Sequence, residues 1–389
     1  MPAPAATSTK KSVLFLTTAT NIGGMERVVC GLAREFGASG SNGRSERWVN
    51  RCVFPEDAKT PDLIAWCRAQ GVEAEGSKAL LGADRDHHWT DVRELARFIR
   101  TADPDVVNLH YGDNFISLKD TIAARLGMGG GARLVITVNH PTAWNAENEK
   151  KRKLTRLAAK MADAVVSISH ATSEVLYQAG IPKSKVAQIS CGLRPPARTF
   201  ARDEARVRLG LRPDAFVVGT LARLERHKGI GDLISASSRI QIPDRDFQLA
   251  IAGKGEERPK LEMQAAECLN GRATFLGRVA DTDEFYSACD VFALPSYLEG
   301  FGLVYVEAAF HGVPSIGTNA GGIPDAVENG KTGILIPPGD IEALAGALAR
   351  LRDDATLREE LGANARDRAN REFTEAVMAD RYESVFCGP

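Results

Sequence analysis

Two glutamates eight positions apart frame the most chemically loaded stretch of this 389-residue chain, Ser296-Tyr297-Leu298-Glu299-Gly300-Phe301-Gly302-Leu303-Val304-Tyr305-Val306-Glu307. Glu299 falls in the turn after a strand expected over residues 291–294, and a helix is expected to open near Leu303. Gly300 and Gly302 let the backbone come close to a ligand. The free amides of a helix start form a ready anion site. Two carboxylates, one before the helix and one inside it, can each accept hydroxyl hydrogens from a polyol. Charge-assisted bonds of that kind contribute about 1.5–3 kcal/mol each, enough to tell one polyol from another. The plainer reading is a glycine turn with surface glutamates.

A cationic pair stands at the end of another expected strand, in Leu221-Ala222-Arg223-Leu224-Glu225-Arg226-His227-Lys228-Gly229. Arg223 and Lys228 can aim at one diphosphate across a strand-to-helix turn. A fixed guanidinium fork and a mobile ammonium suit a leaving group whose negative charge grows in the transition state. A solvated basic loop is the alternative. Three more glycine turns precede expected helices. Ile251-Ala252-Gly253-Lys254-Gly255-Glu256 spells half a dinucleotide fingerprint, a weak signal by itself. Ala320-Gly321-Gly322-Ile323-Pro324-Asp325 puts Pro324 in a first helical turn. Asn21-Ile22-Gly23-Gly24-Met25-Glu26-Arg27 feeds a helix whose amides can hold a phosphate. Packing alone is an equally good reason for glycine in all three.

Together these stretches resemble the retaining GT-B glycosyltransferases of family 4, and they recur in the expected order over residues 12–340. Glu299 and Glu307 match that family's E-x7-E motif, and Arg223 and Lys228 its diphosphate-binding cations. GGIPD is similar to its GGxPE turn, with Asp325 in place of the usual Glu, and GGMER looks like its N-terminal glycine loop. The resemblance implies that Glu307 binds the ribose hydroxyls. Glu299 and the amides of Phe301, Gly302 and Leu303 would hold the sugar and its phosphate. Arg223 and Lys228 would stabilise the departing diphosphate, helped by the amides of Gly23 and Gly24. The base would sit near Leu276–Val279, touching Gly277 and Val279, and His140 would lie near the reacting sugar. The chain departs from the family in two places: Pro141 follows His140 where an Asp is usual, and Ser190-Cys191-Gly192-Leu193 replaces an Asn-Gly-Val turn.

By the same resemblance the donor is a nucleotide sugar, UDP-linked by family default, and the transferred group a hexosyl-type sugar. The acceptor is a hydroxyl on a glycolipid, a polysaccharide precursor or a small natural product. No metal or other cofactor is expected. Asp84-Arg85-Asp86, Asp244-Arg245-Asp246 and Asp281-Thr282-Asp283 do spell D-x-D, and in this two-domain architecture they read as chance acidic pairs. Two alternatives share the fold: a nucleotide-sugar epimerase, and a catalytically silent nucleotide-sugar-binding protein. A dehydrogenase-like reading needs G-x-G-x-x-G after the first strand, which the loop NIGGMER lacks.

What must position these residues is an alternation of short β-branched runs and longer helical patterns, the signature of βαβ units and parallel sheets. In the first half, strands are expected over residues 12–18, 48–54, 105–110, 133–138, 164–169 and 185–190. In the second they are expected over 216–221, 247–252, 274–276, 291–294, 314–316 and 333–336. The fold class is α/β of the GT-B type, two Rossmann-like parallel-sheet domains facing a central cleft. Its expected parts are a disordered tail (1–11), an N-terminal acceptor-side domain (12–192), a linker (193–200), a C-terminal donor domain (201–372) and a closing helix (373–389) that can pack back on the first domain. At this length two domains are the natural division.

The net charge of -1 gives no sign of a nucleic-acid partner. Seven dispersed cysteines without a CxxC pair fit reduced thiols in the cytoplasm. No apolar run approaches the ~20 residues needed to span a bilayer, and MPAPAATSTKK lacks the apolar core of a signal peptide. Residues 149–161, EKKRKLTRLAAKM, form a basic helical stretch. It is either a solvated face or a peripheral contact with anionic lipid at the inner face of the membrane. His87-His88-Trp89 is a candidate lining of an acceptor cleft by position alone.

Overall fold

The computed structural model describes residues 10–18, 23–37, 40–56, 60–78, 80, 89–113, 115–143, 148–240 and 246–388, and thirteen strands form among them, most of them from apolar runs. The chain divides into two compact units. One runs to Leu193 and is completed by the segment from Glu375 onwards; the other is Arg194–Thr374.

The first unit is built on β1 (Lys11–Thr17), β2 (Trp48–Pro55), β3 (Ala74–Ser77), β4 (Val106–Tyr111), β5 (Arg133–Val138), β6 (Ala164–Ser167) and β7 (Val186–Gln188). They form one parallel sheet in the order β3-β2-β1-β4-β5-β6-β7. The second unit holds β8 (Phe216–Leu221), β9 (Phe247–Ala252), β10 (Ala273–Gly277), β11 (Val291–Ala293), β12 (Ser315–Thr318) and β13 (Gly333–Ile336), ordered β10-β9-β8-β11-β12-β13. β4 and β9 are buried along their whole length, as parallel strands covered by helices on both faces must be. Each sheet is therefore doubly wound. Its strand order reverses once, between β1 and β4 in the first unit and between β8 and β11 in the second. Ligands in such sheets bind beyond the carboxyl ends of the strands at that reversal.

Small departures from the expected elements have local causes. β6 stops at Ser167 because Ser169 serves instead as the cap of helix His170–Gln178, its hydroxyl accepting the Thr172 amide at 3.2 Å. β12 begins after Pro314, which has no N–H to donate, although its carbonyl still accepts from the Phe292 amide at 3.0 Å. β3 has no counterpart among the expected strands. Its sequence, Ala-Glu-Gly-Ser, carries no β-branched residue, and it is held by pairing with Cys52–Pro55 of β2.

The last helix, Glu375–Cys387, belongs to the first unit. Glu375 pairs with Arg34, Asp380 with the fully buried Arg44, and Glu383 with Arg47 at 2.9 Å. Phe386 completes an aromatic cluster with Phe15, Phe36 and Trp48, with ring centroids 5.2–6.2 Å apart. Several expected features lie outside the described residues: residues 1–9 of the tail, Asn21 and Ile22, Asp84–Asp86, His87 and His88, and Asp244 and Arg245.

Candidate active site

The loops at the β8/β11 reversal carry the charged residues singled out above. After β8 the chain runs through Arg223 into one turn of 3-10 helix, Arg226–Lys228, closed by Gly229 at φ +67°. Gly229 has no substitute here, because a Cβ would lie 2.2 Å from the Pro295 carbonyl oxygen. The Tyr297 amide donates to the His227 carbonyl at 2.9 Å, so this turn and the loop after β11 are clamped at two backbone points. Between the clamps the Lys228 ammonium donates to Glu299 Oε1 at 2.7 Å, and the Ser296 hydroxyl donates to the same oxygen at 2.9 Å. Both charged side chains are largely enclosed, 13% and 15% exposed. The Gly321-Gly322 turn packs on the Glu299 backbone: the Gly322 amide donates to the Glu299 carbonyl at 2.9 Å, and a Cβ on Gly321 would sit 2.3 Å from that oxygen.

Helix Leu303–Phe310 follows directly. Its cap, Gly302, is in the left-handed region at φ +89°, and no side chain caps the first turn. The amides there remain available to an anion. Phe301 points the other way, its ring buried edge-on against Phe373 at 5.6 Å. Glu307, in the same helix, is buried, and its Oε2 accepts the Tyr286 hydroxyl at 2.7 Å. Tyr286 comes from helix Thr282–Ala288 and stacks on His311 at 5.7 Å. Burial pulls the His311 pKa below its ordinary value, more than the neighbouring Asp283 carboxylate raises it.

The four charged residues do not all meet. Lys228 and Glu299 touch, and Glu307 stands in the helix that starts beside Glu299. Arg223 is 74% exposed and turned to an ion pair with Glu225, which also faces His227 Nδ1 at 3.3 Å. Gly277 closes β10 at φ +67° and accepts the Gly253 amide at 2.6 Å, while Val279 beyond it is half-buried. Gly253 and Gly255 have a packing role. Cβ atoms there would fall 1.8 Å from the Ala222 carbonyl oxygen and 2.2 Å from that of Leu224, so the two loops pack backbone to backbone. Asp281 is a helix cap, accepting the Asp283 and Glu284 amides, and Asp283 faces His311 at 3.2 Å. Burial alone would raise the Asp281 pKa; Arg198 and the helix amides outweigh it and hold the group ionised.

Gly23, Gly24 and His140 belong to the first unit. Gly23 caps helix Gly24–Glu35, and the Glu26 carboxylate lies close enough that a Cβ on Gly23 would meet it at 2.8 Å. His140 is half-buried just beyond β5, after Asn139, whose amide and side chain both donate to the Tyr111 carbonyl at 3.1 and 2.9 Å. In the second unit a groove of about 720 Å³ opens along the 225–229 turn. Arg226, His227, Asp232, Gln264 and Tyr297 line it, and Lys228, Glu299 and Glu307 do not.

The β8/β11 site can therefore do two things. It offers an ammonium and uncapped amides to a phosphate, and two fixed carboxylates to hydroxyl groups. Three contributors carry no motif signal: Tyr286 on Glu307, Ser296 on Glu299, and Thr318, whose hydroxyl donates to the Ser296 carbonyl at 2.6 Å.

Comparison with known proteins bears on both units. The profile of glycosyltransferase family 4 matches residues 22–195, and that of glycosyl transferases group 1 matches residues 201–368. The chain is 31% identical over 284 residues to the GDP-mannose-dependent alpha-(1-6)-phosphatidylinositol monomannoside mannosyltransferase of Mycobacterium tuberculosis, covering 69% of this chain and 72% of that protein. It is 33% identical over 175 residues to the capsular polysaccharide biosynthesis glycosyltransferase CapM of Staphylococcus aureus, 44% of this chain and 46% of CapM, so that match spans about half of either. The crystal structure of Anabaena HepE in complex with UDP superposes with a TM-score of 0.82 at 22% identity, over 97% of this chain and 99% of that one.

Proposed function

The chain belongs to glycosyltransferase family 4, the group 1 glycosyl transferases, has the GT-B fold and is a glycosyltransferase; from that premise we propose that it moves a hexosyl-type sugar from a nucleoside diphosphate sugar to a hydroxyl acceptor with retention of configuration. The observation that carries this reading is the Lys228–Glu299 contact at the β8/β11 reversal, beside the uncapped start of Leu303–Phe310. Lys228 and the amides after Gly302 take the diphosphate, Glu299 the sugar hydroxyls, and Glu307 the ribose. Arg223 swings from Glu225 onto the diphosphate when donor binds, which its exposure permits. With these cations beside the leaving group, charge growing there in the transition state is met by the protein itself, and the reading needs no metal.

UDP is the proposed nucleotide. The UDP complex of Anabaena HepE favours it, while the mannosyltransferase relative is named for GDP-mannose. A thermal-shift panel of nucleoside diphosphates and their sugars decides, since a ligand that binds only the folded state raises the melting temperature. One nucleotide is expected to stabilise the chain well above the rest, and no shift with any of them overturns the reading. Incubating the stabilising donor without acceptor separates transferase from epimerase. The transferase gives at most slow hydrolysis, whereas an epimerase converts the sugar.

Helix Glu149–Met161 supports a membrane-facing acceptor. Thr155, Ala158 and Ala159 are its buried side, while Leu154 and Leu157 stand 39% and 49% exposed among Lys150, Lys151, Lys153, Arg156 and Lys160. Glu149 is the one acidic residue within the helix, pairing with Arg152 at 2.6 Å, and Asp113 lies near enough to Lys151 to attract it. Exposed leucines ringed by cations suit the boundary of an anionic bilayer, here its cytoplasmic face. Among the described residues no helix is long and apolar enough to cross a membrane. Co-sedimentation with phosphatidylglycerol vesicles, and not with phosphatidylcholine vesicles, is the expected result. Reversing Lys150, Lys151 and Lys153 to Glu should abolish it. No binding by the unaltered protein ends the idea.

A further inference from the structure

Glu307 is held by a group that no motif names. Its Oε2 accepts the hydroxyl of Tyr286 at 2.7 Å, and the phenol cannot easily turn away. The Tyr286 ring is fully buried. It packs edge-on against Phe285 at 5.4 Å and Phe292 at 5.6 Å, and lies stacked on His311 with 24° between the planes. His311 is fixed in turn: its Nε2 lies 3.2 Å from Asp283 Oδ1 and its Nδ1 3.5 Å from the Ser287 hydroxyl. Asp283, Tyr286 and Ser287 all come from helix Thr282–Ala288, and His311 ends the helix that carries Glu307. One short helix therefore grips the Glu307 helix at two points, and one of the two is the carboxylate itself.

We propose that Tyr286 is a positioning residue for the nucleotide: by fixing one oxygen of Glu307 through a buried hydrogen bond, it sets the plane in which that carboxylate meets the ribose. The assignment rests on the reading of Glu307 as the ribose ligand and deepens it. A carboxylate that forms two hydrogen bonds to a vicinal diol must hold a fixed orientation, because both bonds fail together when it rotates. An unrestrained glutamate would have to be ordered on each binding event. Tyr286 does that ordering beforehand, at the folding stage.

The test uses the full chain and two probes: whichever of UDP and GDP stabilises it better, and the 2′,3′-dideoxy form of that nucleotide. Tyr286→Phe removes one oxygen and keeps the ring stack. It should weaken binding of the ordinary nucleotide by up to about tenfold, the cost of ordering one flexible side chain on binding, and leave the dideoxy nucleotide unchanged. KM for the donor should rise with little change in kcat. In a Glu307→Ala background the same substitution should add nothing, since there is no carboxylate left to orient. Equal losses for the two nucleotides, or no loss, in Tyr286→Phe overturn the assignment if Glu307→Ala itself discriminates between them. If Glu307→Ala does not discriminate, the ribose reading falls and the proposal falls with it. Should Tyr286→Phe not fold, His311→Asn leaves the phenol and removes the ring stacked on it. A smaller loss of the same selectivity is expected there, and its absence overturns the proposal.

Discussion

Lys228 Nζ lies 2.7 Å from Glu299 Oε1, and the two side chains reach each other from loops that follow different strands on either side of the sheet reversal. The pair is held by its surroundings rather than by its own attraction. Backbone contacts at Gly229 and His227 bring the loops together, and the Ser296 hydroxyl shares the carboxylate oxygen. With the ammonium already desolvated, little reorganisation is left for the reaction itself.

Lys228→Ala is therefore expected to lower turnover by about two orders of magnitude or more, the size seen when one donor to a developing charge is removed. Steady-state rates with the identified donor, together with an unchanged melting curve, check it. Turnover at the unaltered level would detach the contact from catalysis.

Gly229→Ala is expected to damage both fold and rate. It introduces a methyl at φ +67°, 2.2 Å from the Pro295 carbonyl oxygen. The left-handed backbone alone costs about 1–2 kcal/mol, and relieving the clash must part the two loops that hold Lys228 and Glu299. Urea unfolding should show a loss of about 2 kcal/mol or more, with donor affinity falling alongside. A variant with unchanged stability and rate would show that these loops are not clamped as described.

Chelation tests how leaving-group charge is met. If Lys228, Arg223 and the amides after Gly302 do this, exhaustive treatment with EDTA leaves the rate with the identified donor unchanged, and Mg²⁺ or Mn²⁺ restores nothing. A rate that collapses on chelation and returns with one of these ions would assign that charge to a metal instead.

Acid should weaken the first unit through His110. This residue is buried in β4, its Nε2 2.7 Å from Asn108 Oδ1, and burial pulls its pKa from 6.5 down to about 3. The unfolded chain takes up a proton near pH 6.5, and the folded chain does so only near pH 3. Stability is unaffected above the upper value and falls as pH drops between the two. At pH 5 the loss amounts to about 2 kcal/mol, from roughly 1.4 kcal/mol per pH unit. Urea unfolding of the unaltered chain and of His110→Gln at pH 7 and pH 5 isolates it, the variant losing less by about that amount. Parallel losses would remove His110 as the cause.

The fold was legible where side-chain chemistry and backbone geometry agree. Arg133–Val138, Phe216–Leu221, Phe247–Ala252 and Gly333–Ile336 are strands at the expected residues because each is a short, mostly apolar run. Ala74–Ser77 was not legible, since its strand state comes from its neighbour β2 and not from its own residues. Glycine turns were legible as turns but not as to purpose. Gly253 and Gly255 look like a phosphate loop and serve loop packing, whereas Gly229, a single glycine ending the cationic stretch, lets the loop that carries Lys228 lie against Pro295. Tyr286 was illegible for a related reason. In a short helix an aromatic residue reads as core, and only the fold shows that its hydroxyl ends on Glu307.

Because Glu375–Cys387 completes the first unit while Arg194–Thr374 forms the second, the chain passes between units twice, and the earlier-made unit is finished last. During synthesis the surface formed by Phe15, Phe36 and Trp48 waits uncovered, with Arg44 lacking its Asp380 partner, until Glu375–Cys387 has left the ribosome. The second unit needs no such delay. A chain released at Thr374 would carry a complete second unit and a first unit with this apolar surface unsealed.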